Sequence, residues 1–244
     1  MLKKLLAGGL FAGLGAGVLA AVLQLWLTVP LILEAELYET GVLTHFVGAA
    51  EDGTPSATEK KVTIEAHEKA HEAGESGIER HLLTFSADLV IWVAFAILLS
   101  VAISLALGAG LTASIDWRRG IVWGLCGFLA FHLAPAAGLP PELPGSSAAP
   151  LTARQIWWTA TVLLTAAGTA FVAFGKGWWP VALGLALVLL PHLVGAPHPD
   201  AFGGVTSPEL QALFVGRSLA VNAAAWLFMG ALAGLYWSRE AQNG

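Results

Sequence analysis

The sequence predicts an all-α, multi-pass membrane protein, a bundle of about six transmembrane helices. Hydrophobic side chains make up 56% of its 244 residues and charged side chains only 12%, about half the charged fraction of an ordinary soluble domain. Its apolar residues form long runs, and most acidic residues lie in one segment. The net charge of −5 argues against a nucleic-acid partner, which would require a basic surface. The lipid bilayer is therefore the expected surrounding.

Six apolar runs are long enough to cross about 30 Å of hydrocarbon, which takes about 20 helical residues. They cover residues 5–33, 82–107, 120–137, 156–174, 178–194 and 210–237. The first run exceeds the 7 to 15 apolar residues or so of a signal peptide, so we expect a retained, tilted helix. In that helix Gly9, Gly13 and Gly17 recur every fourth residue, which predicts close contact with another helix.

The Lys and Arg positions predict the orientation, because short cytoplasmic loops are enriched in both. With a cytoplasmic amino terminus, the cytoplasmic side carries Lys3, Lys4, Arg118, Arg119, Lys176 and Arg239. Both termini are then cytoplasmic, and a long acidic outer loop follows helix one, with 11 of the 17 acidic residues at positions 34–79. The predicted organisation is a first helix at residues 1–33, the outer loop at residues 34–81 and a five-helix membrane bundle at residues 82–244.

Two ionisable residues, Asp88 and Arg217, lie deep within predicted helices, where charge is costly and often functional. At 1.5 Å per residue they are about 9 Å and 11 Å from the outer ends of helices two and six. Their similar depth predicts an ion pair. That pair would either lock two helices together or belong to a transport path in which Asp88 relays a cation.

All seven histidines fall on the predicted outer side of the membrane. They are His45, His67, His71 and His81 in the outer loop, and His132, His192 and His198 at or beyond the outer ends of helices three and five. Imidazole and carboxylate groups bind divalent first-row metals. Each histidine alone is equally well explained as a solvated or core residue, but together they indicate capture of an external cation.

Residues 67–71 read HEKAH, which matches the HExxH helix of zinc proteases. A catalytic zinc also needs an enclosed cavity and an outer shell of supporting contacts, which an acidic loop without an apolar face does not offer. We therefore expect no enzyme. His67 and His71 are instead interpreted as a metal-binding pair at i and i+4, with His81 contributing from the membrane surface.

Two stretches resemble the CbtA family of proposed cobalt transporter subunits. Residues 133–145 read LAPAAGLPPELPG and are followed by RQIWW at 154–158, while PHLVGAP stands at 191–197 and PEL at 208–210. The resemblance implies cobalt import for cobalamin synthesis and a small single-helix partner with histidines, the CbtB-type subunit. The residues that match the family pattern are Glu142, Arg154, Gln155, Trp157, Trp158, His192 and Glu209.

Physical arguments add to the resemblance near the outer surface. The prolines around Glu142 rigidify its loop, and Pro191 disturbs the last turn of helix five, so that freed carbonyls could join His192 and Glu142 as ligands. Four tryptophans are interpreted as interfacial anchors, namely Trp157, Trp158, Trp178 and Trp179.

We therefore expect a permease subunit of the bacterial or archaeal inner membrane that takes up a divalent transition metal, with cobalt favoured by the resemblance alone. Its metal site is expected at Glu142 and His192, with His132 and His198 as additions. No resident cofactor is expected beyond that metal, and a homo-oligomer remains open. The alternatives are a non-transporting scaffold or regulatory subunit and, third, a membrane zinc protease.

Overall fold

The computed structural model describes residues 2–43, 77–201 and 203–242, and over these it is helical apart from loops and one isolated bridge between Ser146 and Gly204. The helices are α1 (Leu2–Leu27), α2 (Val29–Glu39), α3 (Gly77–Gly108), α4 (Trp117–Phe128), α5 (Leu151–Phe174), α6 (Trp178–Val194) and α7 (Pro208–Gln242). A π-helical segment, Leu129–Leu133, and one α-helical turn, Ala134–Ala136, continue α4 directly.

In the described part of the chain, five segments are long and apolar enough to cross a membrane. They are Lys3–Leu27, Leu82–Gly108, Trp117–Ala136, Leu151–Phe174 and Pro208–Gln242. The protein is thus a multi-pass, all-helical membrane protein, as predicted. The remaining predicted span coincides with α6, which is apolar but has only 17 residues, a length of about 25 Å.

The predicted first helix, residues 5–33, is broken in the structure between α1 and α2. Pro30 lies in the first turn of α2, where it has no N–H for the carbonyl four residues earlier. The N–H of Leu31 bonds to the carbonyl of Thr28 at 3.1 Å, so the carbonyl of Leu27 is left outside the α1 hydrogen-bond ladder. The prediction of one continuous helix was wrong because a proline this far inside a helix interrupts that ladder. α2 also makes the first residues of the predicted outer loop helical.

The glycines of α1 bring α3 close, which confirms the prediction made from their spacing. A Cβ atom at Gly13 would meet the α3 backbone at Val93. At Gly9 it would lie 2.6 Å from Ile97 Cγ1, and at Gly17 it would lie 3.0 Å from a side-chain atom of α3. Small residues let helix backbones approach where van der Waals packing drives association. These three glycines therefore set the distance between the two helices.

A second close crossing, which the sequence analysis did not predict, joins α4 to α7. A Cβ at Gly120 would meet the carbonyl oxygen of Gly230, and one at Gly124 would meet that of Trp226. Gly234 approaches the carbonyl of Asp116 in the same way. Two pairs of glycines spaced by four residues thus face each other across the crossing.

The core lies among α1, α3, α4 and α7. Its centre is aromatic, with Trp92 and Trp226 fully buried and Phe128 nearly so. α5 and α6 form a separate antiparallel pair, in which a Cβ at Gly168 would lie 2.5 Å from the carbonyl oxygen of Gly184. The bundle thus consists of a four-helix core with a two-helix arm.

Contacts at the two ends of the bundle show how the helices are arranged. At one end Lys4 Nζ lies 2.8 Å from Glu240 Oε2, so the first turn of α1 and the last turns of α7 are neighbours. At the opposite end an apolar cluster joins α2, the loop after α4 and the start of α7. Its buried members are Leu31, Ala35, Leu143, Leu210 and Phe214.

Candidate functional site

A cavity of about 660 Å³ opens between the end of the α4 segment, the loop at 137–150 and the first turns of α5. It lies toward the end that carries α2, because its rim loop is bonded to the start of α7. The cavity also touches α7 at Leu219 and Asn222, and Asn222 lies 14 residues, about 20 Å, from the start of that helix. Its wall is largely apolar. Five of the predicted site residues line it together: His132, Glu142, Arg154, Gln155 and Trp158.

Glu142 and Arg154 form an ion pair in the cavity wall. Arg154 Nη2 lies 2.9 Å from Glu142 Oε2, and the two side chains keep 32% and 26% of their surface exposed. The carboxylate predicted as a metal ligand therefore already has a cationic partner, supplied by a residue of the family pattern. Together the two side chains add no net charge to the wall.

Gln211 holds the loop that carries Glu142. Its Nε2 donates to the carbonyl of Pro141 at 2.7 Å, and its Oε1 accepts from the N–H of Leu143 at 3.1 Å. One side chain thus satisfies the backbone on both sides of Glu142. Because these backbone groups are partly buried, their hydrogen bonds fix the loop. The sequence analysis did not identify Gln211, since it is 70 residues away from Pro141 in the chain and no local pattern connects the two.

His132 belongs to the π-helical segment at the end of α4. The N–H of Ala134 bonds to the carbonyl of Leu129, a wider turn of a kind often found at functional sites. His132 Nδ1 lies 3.0 Å from Nε1 of Trp226. An indole N–H can only donate, so Nδ1 accepts, and the neutral ring carries its proton on Nε2. The ring is also stacked on Phe128, with centroids 6.2 Å apart.

The predicted ion pair between Asp88 and Arg217 is not formed, because each side chain finds its partner on α1. Asp88 Oδ1 accepts from Gln24 Nε2 at 3.2 Å, and its Oδ2 is buried without a hydrogen bond. Arg217 Nη1 donates to the carbonyl of Leu27 at 3.1 Å. The similar depth of the two residues in the membrane was therefore not enough to predict that they form an ion pair. The break after α1 frees a carbonyl at a helix carboxyl end, where a cation is favoured.

His192 lies on the α5–α6 arm and does not line the cavity. It packs edge-on against Trp157 with ring centroids 5.8 Å apart. The Nε1 of Trp157 donates to the carbonyl of Pro191 at 3.2 Å. The cavity thus contains Glu142 without His192. The carbonyl of Pro191 accepts this indole N–H and also the N–H of Gly195 at 3.0 Å.

The interfacial role predicted for Trp157 was wrong, because its side chain is buried and its N–H is bonded inside the arm. Trp158 is partly exposed and faces the cavity. Trp178 and Trp179 are 80% and 62% exposed at the start of α6, where an anchor would lie. For these last two residues the role of interfacial anchor stays a prediction.

The remaining predicted site residues, histidine ligands and the family-motif residue Glu209, lie apart from the cavity or outside the described residues. His198 lies after α6 with its Nδ1 3.2 Å from the carbonyl of Pro199, and Glu209 is exposed in the first turn of α7. The positions outside the described residues are His45, His67 and His71 with the HExxH string, and the side chain of His81. Within the described ranges no group of three or more His, Cys, Asp or Glu side chains is placed to hold a metal ion.

Comparisons with known proteins connect this chain to one family. No curated protein and no solved structure matches it. The sequence model of the CbtA family, described as a probable cobalt transporter subunit, matches residues 2–238, nearly the whole chain and all of the cavity wall. The membrane helices, the clustered motif residues and this match together place the chain in the CbtA family of probable cobalt transporter subunits.

Proposed function

We propose that this protein is the permease subunit that brings a divalent transition metal, cobalt, across the inner membrane of a bacterial or archaeal cell for cobalamin synthesis. The cavity lined by His132, Glu142 and Arg154 is the observation that carries the proposal. Polar groups inside a membrane bundle are expensive and mark substrate paths. In this bundle His132, Gln155 and Asn222 line one opening together with the Glu142–Arg154 pair.

The predicted orientation makes this opening face outward. A cytoplasmic amino terminus puts Lys4 and Glu240, which are paired, at the cytoplasmic end. The cavity and α2 then lie at the outer end. The acidic loop at residues 34–81 begins at the same end, and we propose that its histidines, His67, His71 and His81 among them, collect cations from outside.

The cargo would pass from the loop to the cavity and then along α7. Asn222 lies in the deep part of the cavity wall, and the aromatic cluster of Trp226 and Phe131 lies beside it, with ring centroids 5.6 Å apart. Passage beyond this cluster requires a movement of its side chains. We propose that a small single-helix CbtB-type subunit assembles with this chain for transport.

The experiment is accumulation of radiolabelled cobalt in metal-starved cells that express the chain with and without its small neighbouring subunit. Glu142→Gln keeps the shape of the side chain and removes its charge, so we expect at least a tenfold loss of uptake. Glu39→Gln is the matched control, since Glu39 is an exposed acid of α2 that does not line the cavity. Membrane insertion of each variant is checked by its amount in the membrane fraction.

His192→Ala in the same assay separates the two locations of the outer site. Unchanged uptake supports the cavity, whereas abolished uptake moves the site to the outer end of α6. Absence of cobalt uptake in every combination, with the protein inserted, would overturn the permease proposal. The chain would then be a scaffold or regulatory subunit.

A further inference from the structure

The cavity is larger than a hydrated metal ion requires. Six water molecules at about 30 Å³ each give about 180 Å³ for a hydrated divalent ion, against about 660 Å³ for the cavity. Sites for small organic molecules measure about 300 to 1,000 Å³ and have mostly apolar walls with a few polar groups. The cavity is therefore of the size and lining of a small-molecule site.

The cavity wall has no net negative charge to compensate a bare dication. Arg154 and Glu142 neutralise each other, and His132 is neutral because its Nδ1 carries no proton and accepts a hydrogen bond from the indole N–H of Trp226. A cation that leaves water for such a wall loses its hydration without a counter-charge in return. The wall suits a complex whose own ligand has already neutralised the metal.

The same side chains are poorly arranged to coordinate the metal themselves. Glu142 is bonded to Arg154, and a neutral imidazole with its proton on Nε2 and its Nδ1 engaged has no lone pair to give. Binding through His132 Nε2 would require its proton to move and the bond from Trp226 to break. A chelating ligand removes this difficulty, because it supplies the coordinating atoms.

The wall is well arranged to bind carboxylate oxygens. Arg154 directs Nη2 to Glu142, and a guanidinium has five N–H donors, so donors remain for a second carboxylate. The amides of Gln155 and Asn222 line the same space. From the size, the charge balance and the donors, we propose that the cavity takes the cation as its complex with a small carboxylate-bearing chelator, whose oxygens Arg154 recognises. This inference rests on the proposed transport function and names the form of its cargo.

The test is titration calorimetry on the full chain in lipid nanodiscs with three probes: cobalt(II) citrate, cobalt(II) chloride in a non-coordinating buffer, and citrate alone. We expect cobalt(II) citrate to bind at least tenfold more tightly than either other probe. Arg154→Gln should weaken that binding about tenfold to a hundredfold, the effect of losing a charged hydrogen bond. Arg154→Lys, which keeps the charge without the planar fork, should lose less.

Arg239→Gln is the matched control, because Arg239 is an exposed arginine near the other end of α7 and should leave binding unchanged. Thermal unfolding of each variant shows whether it is folded. If Arg154→Gln does not fold, Arg154→Lys provides the test of the arginine's role. Equal or tighter binding of cobalt(II) alone, equal binding of citrate alone, or no effect of the Arg154 variants would overturn the chelate inference. If cells still import cobalt, only this inference falls. If cells import cobalt neither as the free ion nor as the citrate complex, both this inference and the permease proposal are wrong.

Discussion

The indole Nε1 of Trp226 donates a hydrogen bond to Nδ1 of His132 across 3.0 Å, and so joins the core of α7 to the π-helical segment that continues α4. Trp226 is fully buried, and a Cβ at Gly127 would meet its ring. The indole therefore cannot turn away without repacking α4. Its hydrogen bond fixes both the orientation and the tautomer of the imidazole.

We expect Trp226→Phe to release that tautomer. Phenylalanine keeps most of the ring volume but has no donor, so the proton of His132 is no longer confined to Nε2. The free energy of unfolding should fall by about 1 to 3 kcal/mol from the lost hydrogen bond and the small cavity. Nitrogen-15 NMR of ring-labelled histidine reports the tautomer, with the signal assigned through His132→Ala. An unchanged tautomer ratio would contradict the assigned bond.

The crossing of α4 and α7 predicts that an alanine substitution destabilises the protein at one glycine of α7 and not at another. In Gly230→Ala the new methyl group meets the carbonyl oxygen of Gly120, so the helices must separate at a cost of about 1 to 3 kcal/mol. Gly216→Ala is the control, because a Cβ at that position meets nothing within 4 Å. Thermal unfolding in detergent should show a lower Tm for the first variant alone. Equal shifts for both would argue against this crossing.

Double-mutant cycles test the partners of Asp88. The structure predicts coupling between Gln24→Leu and Asp88→Ala, whose side chains are hydrogen-bonded, of about 0.5 to 3 kcal/mol. Asp88→Ala and Arg217→Met should be additive within about 0.5 kcal/mol, because Arg217 binds the carbonyl of Leu27 instead. Unfolding free energies of the single and double variants provide the measurement. Strong coupling between the Asp88 and Arg217 substitutions would contradict these contacts and support the ion pair that the sequence predicted.

Gln211→Leu should disturb the site without changing any cavity-lining residue. It leaves the carbonyl of Pro141 and the N–H of Leu143 without their partner, and because both groups are only partly buried we expect a cost of about 1 kcal/mol for each, the low end of the penalty for an unpaired buried group. Glu142 then loses its fixed position, and cobalt uptake should fall several-fold. Gln242→Leu, the same substitution at the exposed last residue of α7, serves as the control. Normal uptake by a folded Gln211→Leu protein would show that the loop needs no such support.

Local patterns in the sequence were enough to predict the helices and the membrane. The apolar runs predicted every long helix of the described chain, and the spacing of Gly9, Gly13 and Gly17 predicted the contact of α1 with α3. Pro30 was visible in the sequence, yet the break it causes was missed because the apolar run continues past it. The motif around Glu142 and Arg154 predicted both the family and two of the charged residues that line the cavity.

Which side chains meet was decided by the tertiary structure. Trp226 and His132 are 94 residues apart, and Gln211 and Pro141 are 70 apart. Helical periodicity specifies which face of a helix is apolar, but the rotation and crossing of neighbouring helices depend on contacts such as Gly120 with Gly230. The crossing of α1 with α3 brings Asp88 to Gln24, and the packing of α1 beside α7 brings Arg217 to the carbonyl of Leu27. Composition and periodicity therefore determined a multi-pass membrane bundle, the motif residues indicated its family, and the packing of distant helices determined its cavity.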